Sequence, residues 1–308
     1  MIDCRYALEL ADGSKWVFAA TERVSGWLRQ LARIMELRPA GEKGTHQICF
    51  SGTGDLEALN PPGTIQCEQT DKDGWRSYRN GGIYRIWRHE SIPGVHMELN
   101  EAFVAHPEIR YINMWSALRE IHRYALKAGG TPMHAALATH HGRGVLIAAP
   151  GETGKSTCCR RLPGVPWQAF CDDQTLVLRD RDGGFRAHPF PTWSDHLWRE
   201  SKKSWAVERS VALSAIFFLE QASADRAVPF NDPAEAVLSV FGAAKQVWEP
   251  YWERVSSEEK MKASSLLFHN TSEIAAAIPC FRLSATLNGE FWKEMEAALD
   301  GTAGGAHL

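Results

Sequence analysis

Residues 144–159 read GVLIAAPGETGKSTCC: an apolar run, a turn built of small residues, then Gly154-Lys155-Ser156-Thr157. A small residue at position 149, four residues, and then Gly-Lys-Ser is the spacing of a loop that cradles phosphates. The residue types suit that task. Backbone N–H groups of Gly151, Glu152, Thr153 and Gly154 and of the helix start at Lys155, Ser156 and Thr157 can point at phosphate oxygens, and small residues let the backbone come close. Lys155 can neutralise the β- and γ-phosphates of a nucleotide, and Ser156 can offer its hydroxyl to Mg²⁺. Ala149 in place of glycine and Pro150 inside the loop depart from the commonest pattern. The plain alternative is a turn between strand and helix with a surface lysine.

A second constellation follows closely. Asp172 and Asp173 end the stretch WQAFCDD, and a second strand beside the cradle strand is where a phosphate-loop enzyme places an aspartate for its metal. Successive strand side chains point to opposite sides. One carboxylate can therefore face Mg²⁺ while the other turns toward an acceptor. The alternative is a turn or cap before TLVL. His134 stands ten residues before Gly144, at the start of the strand that precedes the cradle strand; a lone histidine there is more often structural than catalytic. His140 and His141 are adjacent, point apart, and read as turn residues near the site at best. Cys158 and Cys159 suit helix packing better than a disulfide or a zinc site.

These residues need elements to hold them. GVLIAAP reads as a strand leading into the turn, and KSTCCRRL as a short helix stopped by Pro163 and Gly164. MHAALATHH is an expected strand joined to it by HHGRG. WQAFCDD and TLVLRD are strand-like, RDRDGGFRAHPF reads as a hairpin, and ALSAIFFLEQ as a buried strand. Helices are predicted over 233–248 and 257–277, then a strand at CFRLSAT and a helix at GEFWKEMEAAL. Upstream, YALEL and KWVFAA flank ADGS as a hairpin. TERVSGWLRQLARIMEL reads as a helix with a threonine cap. HQICF, TIQCEQ, GGIYRIWRH and GVHMEL read as strands, and HPEIRYINMWSALREIHRYALKAGG as one long amphipathic helix closed by two glycines. The expected fold class is α/β with an α+β tendency. Residues 1–128 form a smaller mixed module, 129–300 a phosphate-loop domain on a mixed sheet, and 301–308 a flexible tail.

Composition sets the bounds. The 308 residues are 44% hydrophobic and 23% charged, with a net charge of −3, ordinary for a soluble globular chain. That charge argues against a general grip on nucleic acid or an anionic membrane. Apolar runs stop at about ten residues, too short to span a bilayer, and the N-terminus lacks the basic-then-apolar pattern of a signal peptide. Seven cysteines, an odd number without CxxC spacing, fit reduced thiols, so a cytoplasmic location is expected.

Taken together, MHAALATHHGRGVLIAAPGETGKSTCCRRL and FCDDQTLVL resemble the catalytic core of the HPr kinase/phosphorylase family, with His134, Gly142, Gly144, Lys155, Ser156, Asp172 and Asp173 at matching spacings. The resemblance covers roughly residues 130–220. It implies an ATP- and Mg²⁺-dependent serine-type kinase, in which Lys155 and Ser156 hold phosphates and metal. One of Asp172 and Asp173 is then the base on the acceptor hydroxyl, the other lies near the metal, and His134 assists. Ser156 and Asp172 are the expected metal ligands, and the sequence leaves open which aspartate is the base. The E-x-R-G-x-G signature of the bifunctional enzymes is absent, the chain reading HPFPTWSDHLW instead, which argues against phosphorylase activity and against HPr as substrate. The layout is more similar to diverged HPr kinase-like proteins encoded beside peptide natural-product genes, the lasso-peptide kinases and the SynChlorMet cassette group among them. In that setting Pro191 and Trp193 would wall an acceptor pocket, or equally the loop packs on the sheet.

The expected activity is phosphorylation of a Ser/Thr hydroxyl on a peptide or small protein; the sequence is compatible with an oligomer and does not fix its size. The N-terminal sheet could recognise the partner peptide, a reading from architecture alone. Two alternatives stand beside it: kinase of a small hydroxylated metabolite, and a nucleotide-binding regulatory or scaffold protein that transfers nothing. A GTPase switch lacks its guanine motif, and the lysine of GETGKS stands where a dinucleotide fold needs close backbone packing.

Overall fold

The computed structural model describes residues 1–41, 44–53, 65–70, 74–89, 91–102, 107–198, 201–252 and 255–303. The chain divides into two units: Met1–Tyr124 with Trp193–Glu208 and Pro250–Met261, and Ala125–Thr192 with Arg209–Glu249 and the residues from Lys262 onward.

In the first unit, β1 (Ile2–Glu9) and β2 (Lys15–Thr21) form the expected hairpin, with Leu8 opposite Trp16. A single 3-10 turn over Glu22–Val24 precedes α1 (Ser25–Met35). Thr21 makes no side-chain cap bond, contrary to the expected cap; instead the Ser25 hydroxyl donates to the carbonyl of Glu22 at 3.0 Å. Leu28, Leu31, Ala32 and Met35 give α1 its buried stripe, at the spacing a helix needs to turn one face inward. The sheet continues through β3 (Arg38–Pro39), β4 (His46–Thr53), β5 (Ile65–Thr70), β6 (Trp75–Asn80), β7 (Tyr84–His89) and β8 (Ile92–Asn100). Among the described residues the order is β3-β1-β2-β4-β8-β7-β6-β5, parallel at β2–β4 and β4–β8 and antiparallel elsewhere. Strand β6 escapes a reading of the sequence because WRSYRN buries Tyr78 alone.

The long helix expected over 106–130 is two elements. Residues Pro107–Leu118 wind as a 3-10 helix, and only then does α2 (Arg119–Lys127) begin. The buried residues explain the change: Tyr111, Met114 and Ala117, and Ile112 and Leu118, recur at multiples of three, which stack in line on a three-residue turn. The closing glycines act as expected. Gly129 takes a φ of 85°, and the Gly130 N–H returns to the Ala125 carbonyl at 2.8 Å.

The second unit carries β9 (Thr131–Met133), β10 (Ala135–His140), β11 (Arg143–Ala148), α3 (Lys155–Arg161), β12 (Trp167–Cys171), β13 (Gln174–Arg179) and β14 (Phe185–Phe190). After α4 (Trp193–Trp198) come β15 (Val211–Gln221), β16 (Arg226–Pro229), α5 (Pro233–Trp252), α6 (Ser257–Ala277), β17 (Cys280–Ala285) and α7 (Phe291–Ala303). Its strands run β12-β10-β11-β15-β14-β13-β9, with β17 beside β15 and β16 beside β17. Strands β11, β15 and β17 are parallel, and β10 runs antiparallel to both its neighbours. Both units are thus mixed α/β. His141 and Gly142, at φ 50° and 79°, make the two-residue turn between β10 and β11, the handedness that suits a twisted hairpin. One face of the sheet buries Ala136, Ala138, Val145, Ile147 and Phe217 against Cys158 of α3 and Phe291, Met295 and Leu299 of α7. Alternation along each strand puts these residues on one side.

The directions have one result that matters for chemistry. The ends of β11, β12, β15 and β17 and the start of β10 all lie at one end of the sheet. Ala148 pairs with Ala135, Leu137 pairs with Cys171, and Ala148 pairs with Phe218.

Candidate phosphate-transfer site

The turn after β11 runs from Ala149 to Gly154 and hands over to α3 at Lys155. Gly154 adopts φ 119° and Glu152 φ 64°, so the chain passes twice through backbone conformations that L side chains resist. A Cβ placed on Gly151 or Gly154 would meet nothing within 4 Å. Packing of the protein against itself therefore does not demand glycine at 151. Gln221, the last residue of β15, donates its side-chain amide to the Thr153 carbonyl at 3.2 Å and ties the turn to the neighbouring strand.

Lys155 is buried, 6% exposed, and its ammonium donates to the carbonyls of Ala149 at 2.8 Å and Pro150 at 3.0 Å. Burial lowers its pKa; Asp173 and then Asp172 oppose that by attraction. Lysine and both aspartates therefore share one electrostatic neighbourhood. Ser156 and Thr157 follow on the first turn of α3, half-buried.

The aspartates sit at the end of β12, but β12 is not beside the cradle strand as expected. Strand β10 lies between them: β10 and β11 form a tight hairpin, β15 takes the outer edge of β11 and β12 the outer edge of β10. Asp172 Oδ1 accepts from the Thr192 hydroxyl at 2.8 Å. Asp173 Oδ1 is 3.3 Å from His134 Nε2, and His134 Nδ1 is 2.6 Å from Gln246 Oε1. The side chain of Asp173 is 45% exposed and that of His134 21%. His134 interrupts what the sequence offered as a single strand: it falls between β9 and β10, and its N–H donates to the Ala243 carbonyl of α5 at 3.0 Å. Below the corner Cys159 of α3 donates its thiol to the Cys171 carbonyl at 3.7 Å. Burial raises the Cys171 thiol to about 11 and the Cys158 thiol to about 11, so both stay protonated packing groups.

The other candidates fall elsewhere. His140 ends β10 opposite Trp167, the first residue of β12, so His140 and His141 are at the far end of the sheet and not near the site. His140 packs on Trp167 at 4.7 Å and faces Glu296 at 3.6 Å. Trp193 is buried within the first unit, edge-on to Trp115 of the 3-10 helix at 5.5 Å. Thr192, Gln221 and Gln246 are residues that sequence reasoning missed. Thr192 had a signal, since it lies in HPFPTWSD; a lone glutamine inside a helix has none.

Among the described residues no group of three or more His, Cys, Asp or Glu side chains stands together to hold a metal. Ser156 and Asp172 supply oxygen ligands of the kind Mg²⁺ takes, and the loop supplies unencumbered backbone and a buried ammonium for phosphate.

No helix among the described residues is long and apolar enough to cross a membrane. No curated protein matches the chain in sequence. Among solved structures the chain is similar to the Hpr(Ser) kinase/phosphatase from Coxiella burnetii, at 10% identity and a TM-score of 0.32, over 57% of this chain and 97% of that one. A likeness at that level carries no argument about activity. Residues 98–300, well over half of the chain, match the family described as SynChlorMet cassette protein ScmC. That span takes in the turn at 149–154, Lys155, both aspartates and His134, and the chain belongs to the ScmC family.

Proposed function

We propose that this protein is a Mg·ATP-dependent kinase that transfers the γ-phosphate to a Ser/Thr hydroxyl of a peptide or small protein. The observation that carries the reading is the convergence at one sheet end of a glycine turn with a buried lysine and, two strands away, a pair of carboxylates that act on that lysine's charge. A phosphate cradle alone would serve a binder; the second carboxylate is what a transferase needs in addition.

The chain's residues divide the work. Backbone N–H groups of residues 151–157 and the Lys155 ammonium bind and orient the phosphates, the ammonium leaving the Ala149 and Pro150 carbonyls to do so. Ser156 and Asp172 would hold the metal, and Thr192 keeps Asp172 turned to its place. Mg·ATP supplies the transferable phosphoryl group and the charge neutralisation it requires. Asp173, steered by His134, accepts the hydroxyl proton as the acceptor oxygen bonds to phosphorus and the bond to the β-phosphate oxygen breaks. The test is incubation with γ-labelled ATP, Mg²⁺ and Ser/Thr peptides, with Lys155→Ala, Asp172→Asn and Asp173→Asn in parallel. Label on a hydroxyl that each variant abolishes supports the kinase. ATP binding with no transfer to any peptide or small hydroxylated acceptor would leave a nucleotide-binding regulator.

A further inference from the structure

We infer that Gln246 is a positioning residue for Asp173, acting through His134; the inference rests on the kinase reading above. His134 lies in the break between β9 and β10 and is held at three points. Its N–H donates to Ala243 at 3.0 Å, its Nδ1 meets Gln246 Oε1 at 2.6 Å, and its Nε2 faces Asp173 Oδ1 at 3.3 Å. Ala243 and Gln246 are three residues apart on α5 and so share a face. One helix therefore grips both the backbone and the ring of His134. The glutamine amide is oriented by its own helix, its Nε2 donating to the Gly242 carbonyl at 3.4 Å. That leaves the oxygen to face the ring. An amide oxygen only accepts, so Nδ1 carries the hydrogen between them; a carboxylate likewise only accepts, so Nε2 holds Asp173 when it carries a hydrogen as well, and the ring then donates to both partners.

The two carboxylates are thus held differently. Asp172 has a direct bond from Thr192. Asp173 is nearly half exposed, where a carboxylate has several rotamers open to it, and the imidazole is a rigid group that selects among them. The direction of that ring is set by Gln246. A displacement of about 1 Å in a reacting group can cost about a hundredfold in rate, so an amide one residue removed from the carboxylate can govern turnover without touching ATP.

The test uses the full chain with Mg·ATP and a Ser/Thr peptide that the wild type phosphorylates. Gln246→Met keeps length but removes the acceptor, and Gln246→Glu keeps an acceptor oxygen. We expect Gln246→Met to lower kcat about ten- to a hundredfold with KM for ATP within about twofold. Gln246→Glu should return kcat to within about threefold of wild type, and Gln246→Met should add nothing to Asp173→Asn, because both act on one group. Unchanged kcat in Gln246→Met, an equal defect in Gln246→Glu, or multiplied defects in the double variant each overturn the inference. If the wild type transfers no phosphate, the kinase reading fails by itself. The His134 ring then decides: ¹⁵N spectra in which Gln246→Met leaves the Nδ1–H signal unchanged overturn the positioning role, and loss of that signal upholds it.

Discussion

The glycine turn and the aspartate corner share one end of the same sheet, yet they are held in different ways. The turn is local: strand, loop and helix follow within residues 143–161, and its chemistry is carried by backbone and by one lysine folded over its own loop carbonyls. The corner is assembled from four separate stretches, His134, Asp172–Asp173, Thr192 and Gln246, joined by side-chain hydrogen bonds. A local device should tolerate change around it and fail only at its own atoms. A device built from distant parts should be sensitive to residues that never meet the phosphate.

On the proposed kinase reading, the largest expected effect separates the two as donor side and acceptor side. Asp173→Asn should cut phosphoryl transfer by about 10²–10⁴ while ATP binding persists, the loss expected when a general base is removed. Lys155→Ala should cut transfer by about 10²–10³ and weaken ATP binding as well. Binding by calorimetry beside turnover checks the pair; equal loss of ATP binding in both variants would erase the division.

Next comes Gly151→Ala. Its Cβ would meet nothing in the protein, so stability should stay within about 0.5 kcal/mol, the usual range for such a surface change. A methyl where a phosphate must approach should nevertheless weaken ATP binding about tenfold or more. A thermal melt and an ATP titration on the same sample decide it, and unchanged affinity would make the turn a mere connection.

Thr192→Val, which keeps shape and removes the hydroxyl, should cost about 1 kcal/mol through the bond lost to Asp172. The apparent affinity for Mg²⁺ should fall as well, while Thr192→Ser restores both. Equal Mg²⁺ dependence in all three proteins would uncouple Thr192 from the metal side of the corner.

The smallest effect is a pH dependence. Burial lowers the Lys155 pKa below its usual 10.5, so the folded protein holds this proton less firmly than the unfolded chain. Stability should therefore gain from Lys155 as pH rises through the lowered value toward 10.5, and carry a constant penalty below that window. Denaturant midpoints across alkaline pH, compared with Lys155→Met, isolate the contribution; a slope that survives the substitution belongs to other groups.

The contrast also explains how far the sequence could be read. GVLIAAPGETGKSTCC announces its strand, turn and helix because every part lies within a few residues of the next, and apolar periodicity and glycine placement are local signals. The pair Asp172–Asp173 was visible as a chemical oddity. Its separation from β11, with β10 between, was not, because a hairpin leaves two free edges and only long-range packing decides which of them β12 and β15 take. Pro107–Leu118 reads as α-helix and winds as 3-10 helix, since apolar spacings of three and four mix in the sequence until packing selects one. Trp205, whose N–H reaches the Ile34 carbonyl at 2.7 Å, and the Arg38–Glu208 ion pair at 2.6 Å tie a segment near residue 200 to the first unit. No composition change marks those returns.

The amino-acid sequence by itself determined the glycine turn between strand and helix, the lysine that follows it, the aspartate pair and the mixed α/β character, because short-range spacing encodes each. Only the tertiary structure decided that His134 faces Asp173, that Thr192 and Gln246 stand behind the two carboxylates, and that His140 and His141 lie at the opposite end. Those relations follow from strand direction and from where α5 crosses the break between β9 and β10. Such long-range geometry is set by burial of whole faces at once, not by any neighbouring residue.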